Sequence, residues 1–524
     1  MKRVTKASLL CLLLFTLSLT GCANGGASIS TEKKAETKGQ GEAQDKTDNH
    51  VLTIAQSSDL TTMDPQNALS TTSDNIFHNM YSRLFIRDDK MEIKPDLVES
   101  YQLINDTTWH FTLKKGVTFH NGDPLTSQDV KYTLERVVTD KKLKEAAYFK
   151  EIAEVKVIDD LNFEIITKNP LPTMLNLLAK SGADIMPHKY IQEIGWDQFL
   201  RNPIGSGPYQ FVEWKRDDRV VLKPYDNYYG GKVTQWEQVI YRSIPESSTR
   251  VGELLTGGID LATDIPPNEW ERVNNSPDTK LLKGETTRVM LMIARTTSGT
   301  VTADPRVREA IDLAIDKNAL ATNLLQGAGV PIRTRVTTGV VGSNPALNNT
   351  SLYDPEKAKQ LLAEAGYPNG LQLTLTAPKG RYLMDAEVAE MVSGMLAEVG
   401  IKVNLELLES SKFVEVYDSK QNKELILIGL ADGLLDASYS LVHYTKSSNG
   451  VTTFDNEEVE KLYTDAVKNM NKEERIKQLQ RIQEIVAEER PHIFLYQTKA
   501  SYGARKTLEF QPRLDEGIYL PNIK

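Results

Sequence analysis

Helical and strand patterns alternate along the C-terminal half of this chain, and the alternation leaves few architectures open. Apolar residues recur at helical spacing in 305–316, and Asp354, Pro355 and Gly366 are typical of the cap, first turn and end of a second helix. The segment LQLTLT, 371–376, then alternates apolar and polar residues as a strand does. Strands separated by helices predict an α/β fold with parallel strand pairing.

The same alternation continues toward residue 430. The segment AEVAEMVSGMLAEVG, 386–400, has helical periodicity, and IKVNLEL, 401–407, alternates again. The short apolar run LILIGL, 425–430, is typical of a buried strand. We therefore expect at least three strands connected by helices in this half of the chain.

The N-terminal half has more strand-like segments. In WHFTLKKGVTFH, 109–120, apolar residues alternate on both sides of Lys115-Gly116, which predicts a β-hairpin. His110 and His120 could then meet across the hairpin and hold a metal ion. The more ordinary interpretation is that both are simple strand and turn residues, and we predict no metal site.

Composition and motifs argue against several functional classes. The formal net charge is −9, and no basic patch interleaved with aromatic residues is evident, so nucleic acid is not an expected partner. The sequence contains no HExxH, GxSxG or P-loop motif, and the seven histidines lack zinc-like spacing. We therefore predict that the protein is not an enzyme and has no cofactor.

The first 50 residues predict secretion followed by anchoring. Lys2, Arg3 and Lys6 precede the apolar run 7–20, which is typical of a signal peptide. The tetrapeptide LTGC, ending in Cys22, resembles the bacterial lipobox, in which the cysteine is acylated after cleavage. An ordinary secretory cleavage site is the alternative.

The residues after Cys22 are expected to form a tether. We predict a signal peptide over 1–21 and a disordered tether over 22–50, a segment with one large aliphatic residue and no aromatic one. About 470 residues follow, enough for two or three domains. No second long apolar segment is present, so the body is expected to be soluble. The signal peptide and the lipobox predict an extracytoplasmic location, with the lipid on Cys22 anchoring the protein at the outer face of the membrane or in the periplasm.

Several ordered blocks of the body resemble one family, the family 5 extracellular solute-binding proteins. These are the dipeptide-, oligopeptide- and nickel-binding lipoproteins of ABC importers. The matching blocks are MDP (63–65), WHFTLKKGVTFHNGDPLTSQDVKYTL (109–134), NPIGSGPY (202–209), IPESSTRVGELLTGGIDL (244–261), DPRVREA (304–310) and YDP (353–355). Ser206 stands where the family usually has Thr.

The resemblance implies a two-lobe clamp of the periplasmic-binding-protein type, type II, in its large class. Lobe I would cover 51–290, with an inserted subdomain at about 81–200. Lobe II would cover 291–494, and 495–524 would return to lobe I. Ligand would lie between the lobes and be buried when they close.

Two loops of lobe II follow predicted strands, at the sheet edge where α/β proteins bind ligands. The loop 377–385 carries Arg381, and the loop 431–440 carries Asp432 and Asp436. A peptide has an ammonium group at one end and a carboxylate at the other. An arginine and an aspartate on neighbouring loops could bind these two ends by charge-assisted hydrogen bonds.

The family resemblance implies particular roles for these residues. Its GRY segment, here containing Arg381 and Tyr382, often supplies the arginine for the ligand carboxylate. Its peptide binders place an aspartate after a Gly-Trp segment to hold the ligand amine, and Asp436 aligns with it. Leu430 replaces the family's tryptophan and Ala437 its proline, which leaves peptide specificity open.

Further candidate contacts come from both lobes. The main chain of Gly429 to Ala431 could pair with an extended peptide as an added strand. In lobe I, Ser70, Thr71 and Thr72 align with a stretch that approaches ligand in the family, and their hydroxyls could close the opposite side.

The leading hypothesis is a monomeric binding protein that delivers peptides to a membrane permease driven by cytoplasmic ATPase subunits. The same fold could instead bind a nickel–chelator complex, an opine or an oligosaccharide, with Tyr439 or His443 as contacts. A receptor for peptide signals would share the same binding physics and differ only in its partners. A lipid-anchored hydrolase is a further hypothesis, and the missing nucleophile motif counts against it.

Overall fold

The computed structural model describes residues 50–68, 70–419, 423–446 and 453–524. The described residues belong to one compact unit. The predicted signal peptide, the predicted lipid attachment at Cys22 and the tether up to residue 49 lie outside the described residues. Within the described ranges, no helix combines the length and the apolar character needed to cross a membrane.

The strands are β1 (Val51–Gln56), β2 (Phe85–Arg87), β3 (Ile93–Pro95), β4 (Val98–Asn105), β5 (Thr108–Leu113), β6 (Ile152–Val157), β7 (Asn162–Thr167), β8 (Tyr209–Lys215), β9 (Arg219–Pro224), β10 (Gln238–Ser243), β11 (Leu261–Thr263), β12 (Thr279–Ala294), β13 (Gly329–Pro331), β14 (Leu371–Lys379), β15 (Ile401–Glu409), β16 (Leu425–Leu430) and β17 (His492–Arg505).

The α-helices are α1 (Thr71–Met80), α2 (Ser127–Thr139), α3 (Ala146–Phe149), α4 (Met174–Leu178), α5 (His188–Ile194), α6 (Trp196–Arg201), α7 (Ser247–Leu255), α8 (Trp270–Asn275), α9 (Pro305–Ala314), α10 (Lys317–Ala319), α11 (Pro355–Glu364), α12 (Asp385–Glu398), α13 (Ser410–Ser419), α14 (Ala437–Leu441), α15 (Glu457–Ala466) and α16 (Lys472–Glu489).

One 11-stranded sheet runs through the molecule in the order β15-β14-β16-β12-β17-β11-β1-β10-β9-β8, with β13 beside β17. The strand β14 pairs in parallel with both β15 and β16, which confirms the pairing predicted from the alternation. The carboxyl ends of these three strands therefore lie at one edge of the sheet, and the loops predicted to bind ligand begin there.

The strands β12 and β17 connect the two ends of this sheet. They are 16 and 14 residues long and antiparallel, and their pairing shifts register between Glu285 and Val289 and again between Met290 and Leu291. Such irregularities bend and twist a sheet locally. We name the part containing β1 and β8–β11 the first lobe, and the part containing β14–β16 the second lobe.

A separate antiparallel sheet, in the order β4-β5-β7-β6, lies within the segment predicted to be inserted into the first lobe. Its core contains Phe111 and Phe163, whose rings stack at 5.3 Å between centroids. Leu434 of the second lobe packs into the same core. The exact limits of lobes and subdomain stay a prediction.

The hairpin predicted over 109–119 is wrong. The strand β5 has the predicted alternation of buried side chains, but it pairs with β4 and β7 on its two edges. His120 instead bonds through its two ring nitrogens to the main chain of Gly205 and Gly207, while His110 pairs within the sheet. In the described part of the chain, no group of three or more His, Cys, Asp or Glu side chains could hold a metal ion.

Local capping explains how the second lobe presents its strand ends. Asp354 caps α11 by accepting the main-chain N–H of Lys357 at 2.9 Å, and Pro355 occupies the first turn, as predicted. Gly400 ends the turn after α12 with φ of 90°, in the left-handed region that glycine adopts readily. These caps fix where β14 and β15 begin relative to the helices.

Candidate functional site

The loop after β14 is organised by one buried carboxylate. Asp385 accepts main-chain N–H bonds from Gly380 at 2.9 Å, Arg381 at 2.8 Å, Tyr382 at 2.9 Å and Ala386 at 2.9 Å. Gly380 has φ of 78°, a conformation that suits glycine. Four donors on one carboxylate fix the main chain of this loop, while the side chain of Arg381 is exposed.

Tyr382 joins this loop to the end of β16. Its hydroxyl donates to the carbonyl of Gly429 at 3.0 Å, and Nε of Arg381 donates to the same hydroxyl at 3.0 Å. A Cβ on Gly429 would lie 2.7 Å from Sδ of Met290 and 2.9 Å from a ring carbon of Tyr382. The structure thus brings together three predicted site residues, Arg381, Tyr382 and Gly429, and a larger residue at the last would displace Met290 or Tyr382.

Among the described strands, the last residues of β16 are paired on one edge only. Gly429 and Leu430 pair with β12, whereas β14 pairs with β16 only as far as Ile426. Among the described strands, none continues beside 427–430 on the β14 edge. An extended peptide could pair with this edge beside the bond that the carbonyl of Gly429 already accepts from Tyr382.

Asp436 is engaged inside the second lobe. Its side chain is 2% exposed, forms a two-bond ion pair with Arg475 at 2.8 and 2.5 Å, and accepts the N–H of Ser438 at 3.0 Å as the cap of α14. A ligand ammonium would have to displace Arg475 to reach it. The structure therefore gives Asp436 a structural function, as the cap of α14 and the partner of Arg475.

Asp432 shapes the same loop from within. One carboxylate oxygen accepts the hydroxyl of Ser440 at 2.6 Å and the other the N–H of Leu434 at 3.1 Å. Burial raises the pKa of Asp432 to about 6, although the Ser440 hydroxyl and the charge of Arg335 oppose that rise. This side chain holds the loop 431–440 in place.

Arg335, which was not predicted from the sequence, lies beside this loop. Its guanidinium donates to the carbonyl of Ser440 at 3.2 Å, to Nδ1 of His443 at 2.6 Å and to the carbonyl of Ala431 at 3.4 Å. Burial, and then the charge of Arg335, hold the pKa of His443 well below its usual range. This favours a neutral His443, whose Nδ1 can accept from Arg335 and also lies 3.2 Å from the carbonyl of Ser440. No local motif around residue 335 signals this position.

The predicted first-lobe contacts lie at the start of α1. The hydroxyl of Ser70 accepts the N–H of Ser73 at 3.2 Å and thereby caps the helix, and the hydroxyls of Thr72 and Ser58 are 3.0 Å apart. Thr71 is the first helical residue. Their function as ligand contacts stays a prediction.

The loop after β16 also contacts the first lobe directly. Arg87 donates to the carbonyl of Leu434 at 2.5 Å, and Asn176 donates to the same oxygen at 3.1 Å. The hydroxyls of Tyr148 and Tyr439 are 2.9 Å apart, and their rings stack at 5.0 Å. The loop 431–440 thus contacts residues of the segment predicted to be inserted into the first lobe.

Comparisons with known proteins agree with this architecture. The family model described as "Bacterial extracellular solute-binding proteins, family 5 Middle" matches residues 92–452. The glutathione-binding protein GsiB of Salmonella paratyphi A is 27% identical over 476 residues, covering 87% of this chain and 91% of that protein. GsiB of Escherichia coli O157:H7 is 28% identical over 480 residues, with the same coverage of both chains.

Solved structures have the same fold. The binding protein AgaA of A. tumefaciens R10, in complex with agropinic acid, is 25% identical with a TM-score of 0.78, covering 90% of this chain and 98% of that one. The oligopeptide-binding protein AppA of Bacillus subtilis, in complex with a nonapeptide, has a TM-score of 0.78 at 23% identity and the same coverage. The fold is that of a type II periplasmic binding protein, a two-lobe clamp, as the sequence predicted.

The match to the family model covers well over half of the chain, and the sheet, the lobes and the loops between them fit it. The chain belongs to the family 5 bacterial extracellular solute-binding proteins, the substrate-binding proteins of ABC importers.

Proposed function

We propose that this protein captures short peptides between its two lobes and delivers them to the permease of an ABC importer. The observation that carries the proposal is the position of Arg381, exposed on a rigid loop beside the open edge of β16. A peptide paired with this edge would bring a carboxylate to the guanidinium. Arginine can bind a carboxylate through two parallel hydrogen bonds.

Main-chain pairing explains how different peptides could share one site. Gly429, Leu430 and Ala431 would supply donors and acceptors that do not depend on the ligand's side chains. Tyr382 supports both elements, because its hydroxyl bonds to Gly429 and to Arg381. The relatives named for glutathione and for a nonapeptide are consistent with a peptide-like ligand.

The ligand amine has no equally clear partner. Binding by Asp436 stays part of the proposal and requires that the ammonium replace Arg475. Ser70, Thr71 and Thr72 would close the site from the first lobe. Lipidation of Cys22 would hold the protein at the outer face of the membrane, close to the permease.

Native mass spectrometry of the purified protein tests the proposal. We expect a bound mass that disappears on unfolding and fragments into amino-acid losses. The substitution Arg381→Ala should remove the bound mass, whereas Arg201→Ala, at an exposed arginine on α6, should leave it.

A bound mass that contains nickel, a sugar or an opine would overturn the peptide assignment while leaving the clamp intact. Retention of peptide by the Arg381→Ala protein would show that the carboxylate is bound elsewhere.

A further inference from the structure

Arg335 is a buried cation without a matching anion. Its side chain is 3% exposed, and among the described residues no carboxylate lies within ion-pair distance of its guanidinium. The three acceptors that it has are two main-chain carbonyls and a neutral histidine. Buried arginines are ordinarily paired with an acid, so this arrangement calls for an explanation.

Counting donors identifies which edge of the guanidinium lacks partners. An arginine has five N–H donors. Nη1 donates to Ser440 and His443, but Nε has no partner among the described residues and Nη2 has one long bond, 3.4 Å, to the carbonyl of Ala431. Nε and Nη2 form one edge of the guanidinium, which carries two parallel N–H groups. That edge matches the two oxygens of a carboxylate.

The charge of Arg335 acts on the titratable groups around it. Burial lowers the pKa of His443, and this charge lowers it further. Burial raises the pKa of Asp432, and the same charge opposes that rise. The oxygens of Asp432 are already bonded to Ser440 and Leu434, so this acid does not take the open N–H groups of Arg335.

Two arginines flank the same short stretch of main chain. Arg381 reaches Gly429 through the hydroxyl of Tyr382, and Arg335 reaches Ala431 directly. Residues 429 and 431 of an extended chain are about 7 Å apart. A peptide paired along this stretch would therefore have a cation near each of two positions about two residues apart.

We infer that the ligand carries a second carboxylate, bound by the Nε–Nη2 edge of Arg335, and that the substrate class is a short peptide with an acidic side chain near its carboxyl end. This inference rests on the proposed function. Arg381 binds the terminal carboxylate and Arg335 the acidic side chain, which takes the place of the long bond to Ala431.

Two peptides that differ only by Glu or Gln at the penultimate position test the inference, measured by titration calorimetry on the full-length chain. We expect the wild-type protein to bind the Glu peptide about tenfold or more tightly than the Gln peptide. Arg335→Gln should abolish that preference, with the affinity for the Gln peptide changed less than about threefold. Arg335→Lys should keep part of it, because the charge remains and the paired donors are lost.

Arg333→Gln is the matched control, since Arg333 lies two residues away and lines a different cavity, with Asp312 and Arg490. It should keep the full preference. Thermal melting of each variant checks folding, and binding of the Gln peptide checks the site. Equal binding of both peptides by the wild-type protein would overturn the inference alone, as would a proportional loss of both peptides in Arg335→Gln. Failure of the wild-type protein to bind either peptide would overturn the proposed function as well.

Discussion

The loops that follow β14 and β16 occupy equivalent positions in the sheet but use their charged residues in opposite ways. After β14, the acid Asp385 is buried under the main chain and the base Arg381 is exposed. After β16, the acid Asp436 is buried and bonded to Arg475 of α16, which is buried as well. The loop after β14 presents the charge of Arg381 where a ligand can reach it. The loop after β16 holds the charge of Asp436 inside the protein.

This difference shows that position at a sheet edge does not by itself identify a binding residue. Both loops carry an aspartate, and both follow a strand with its carboxyl end at the cleft. What separates Arg381 from Asp436 is that Arg381 is exposed, whereas both oxygens of the buried Asp436 carboxylate are already bonded to Arg475.

The largest expected effect comes from breaking the buried pair. Arg475→Ala leaves the Asp436 carboxylate buried without its partner, which should lower the free energy of unfolding by about 3–5 kcal/mol. Urea denaturation measures this change in the free energy of unfolding. Lys359→Ala, which breaks the exposed pair with Glu356 on α11, should change the free energy by less than about 1 kcal/mol. If both substitutions have similar small effects, Asp436 is not held by Arg475 in solution and its function in amine binding regains support.

Removing Asp385, the acid beneath the loop after β14, should lower the free energy of unfolding by less than Arg475→Ala does. Asp385→Ala deletes the acceptor of four main-chain N–H groups, and we expect a loss of about 1.5–3 kcal/mol in the free energy of unfolding. Peptide affinity should fall with it, because Arg381 loses its fixed main chain. Asp385→Asn, which keeps one acceptor oxygen, should lose less of both. Unchanged affinity in Asp385→Ala would show that the loop need not be rigid.

Asp432 predicts a pH dependence of stability. Its pKa is about 6 in the folded protein and 3.8 in its ordinary state, so between these values the folded state binds a proton that the unfolded state does not. Stability should therefore decline as pH rises from about 4 to about 6, by on the order of 1–2 kcal/mol from this group. Burial raises the pKa of Asp74 to about 6 and the pKa of Glu145 to about 7, so both groups also make stability decline as pH rises. Denaturation curves of Asp432→Asn should show a flatter decline, and an unchanged slope would contradict the assignment.

The smallest expected effect on stability is that of Arg381→Ala. Since the side chain is exposed, the free energy of unfolding should change by no more than about 0.5 kcal/mol. The same variant should lose peptide binding. Its loss of binding, compared with its loss of stability, should therefore be larger than in the other variants. A large loss of stability would place Arg381 with Asp436 among the structural residues.

The sequence predicted the features that depend on neighbouring residues. The cap at Asp354, the proline in the next position and the strand–helix alternation over 371–430 all appear as expected. Each depends on side chains within a few positions of one another, which is the range that periodicity and capping patterns report.

Features that join distant residues were not predictable. The pairing of Asp436 with Arg475 spans 39 residues, and Arg335 meets Ala431 across 96. The hairpin prediction failed for the same reason, because β5 pairs with β7, a strand about fifty residues farther along the chain. The residues near Gly116 are typical of a turn, but the pairing of β5 with the distant strand β7 decides the structure.

The register shift between Glu285 and Val289 has a consequence for where the candidate site lies. The lobes are joined through β12 and β17 themselves, and the irregular step there is a matter of main-chain hydrogen bonds. Leu430 pairs with Val289, the residue at which the pairing of β12 with β17 resumes after the shift. The bend in the long strands therefore also sets where the end of β16, and with it this part of the candidate site, lies.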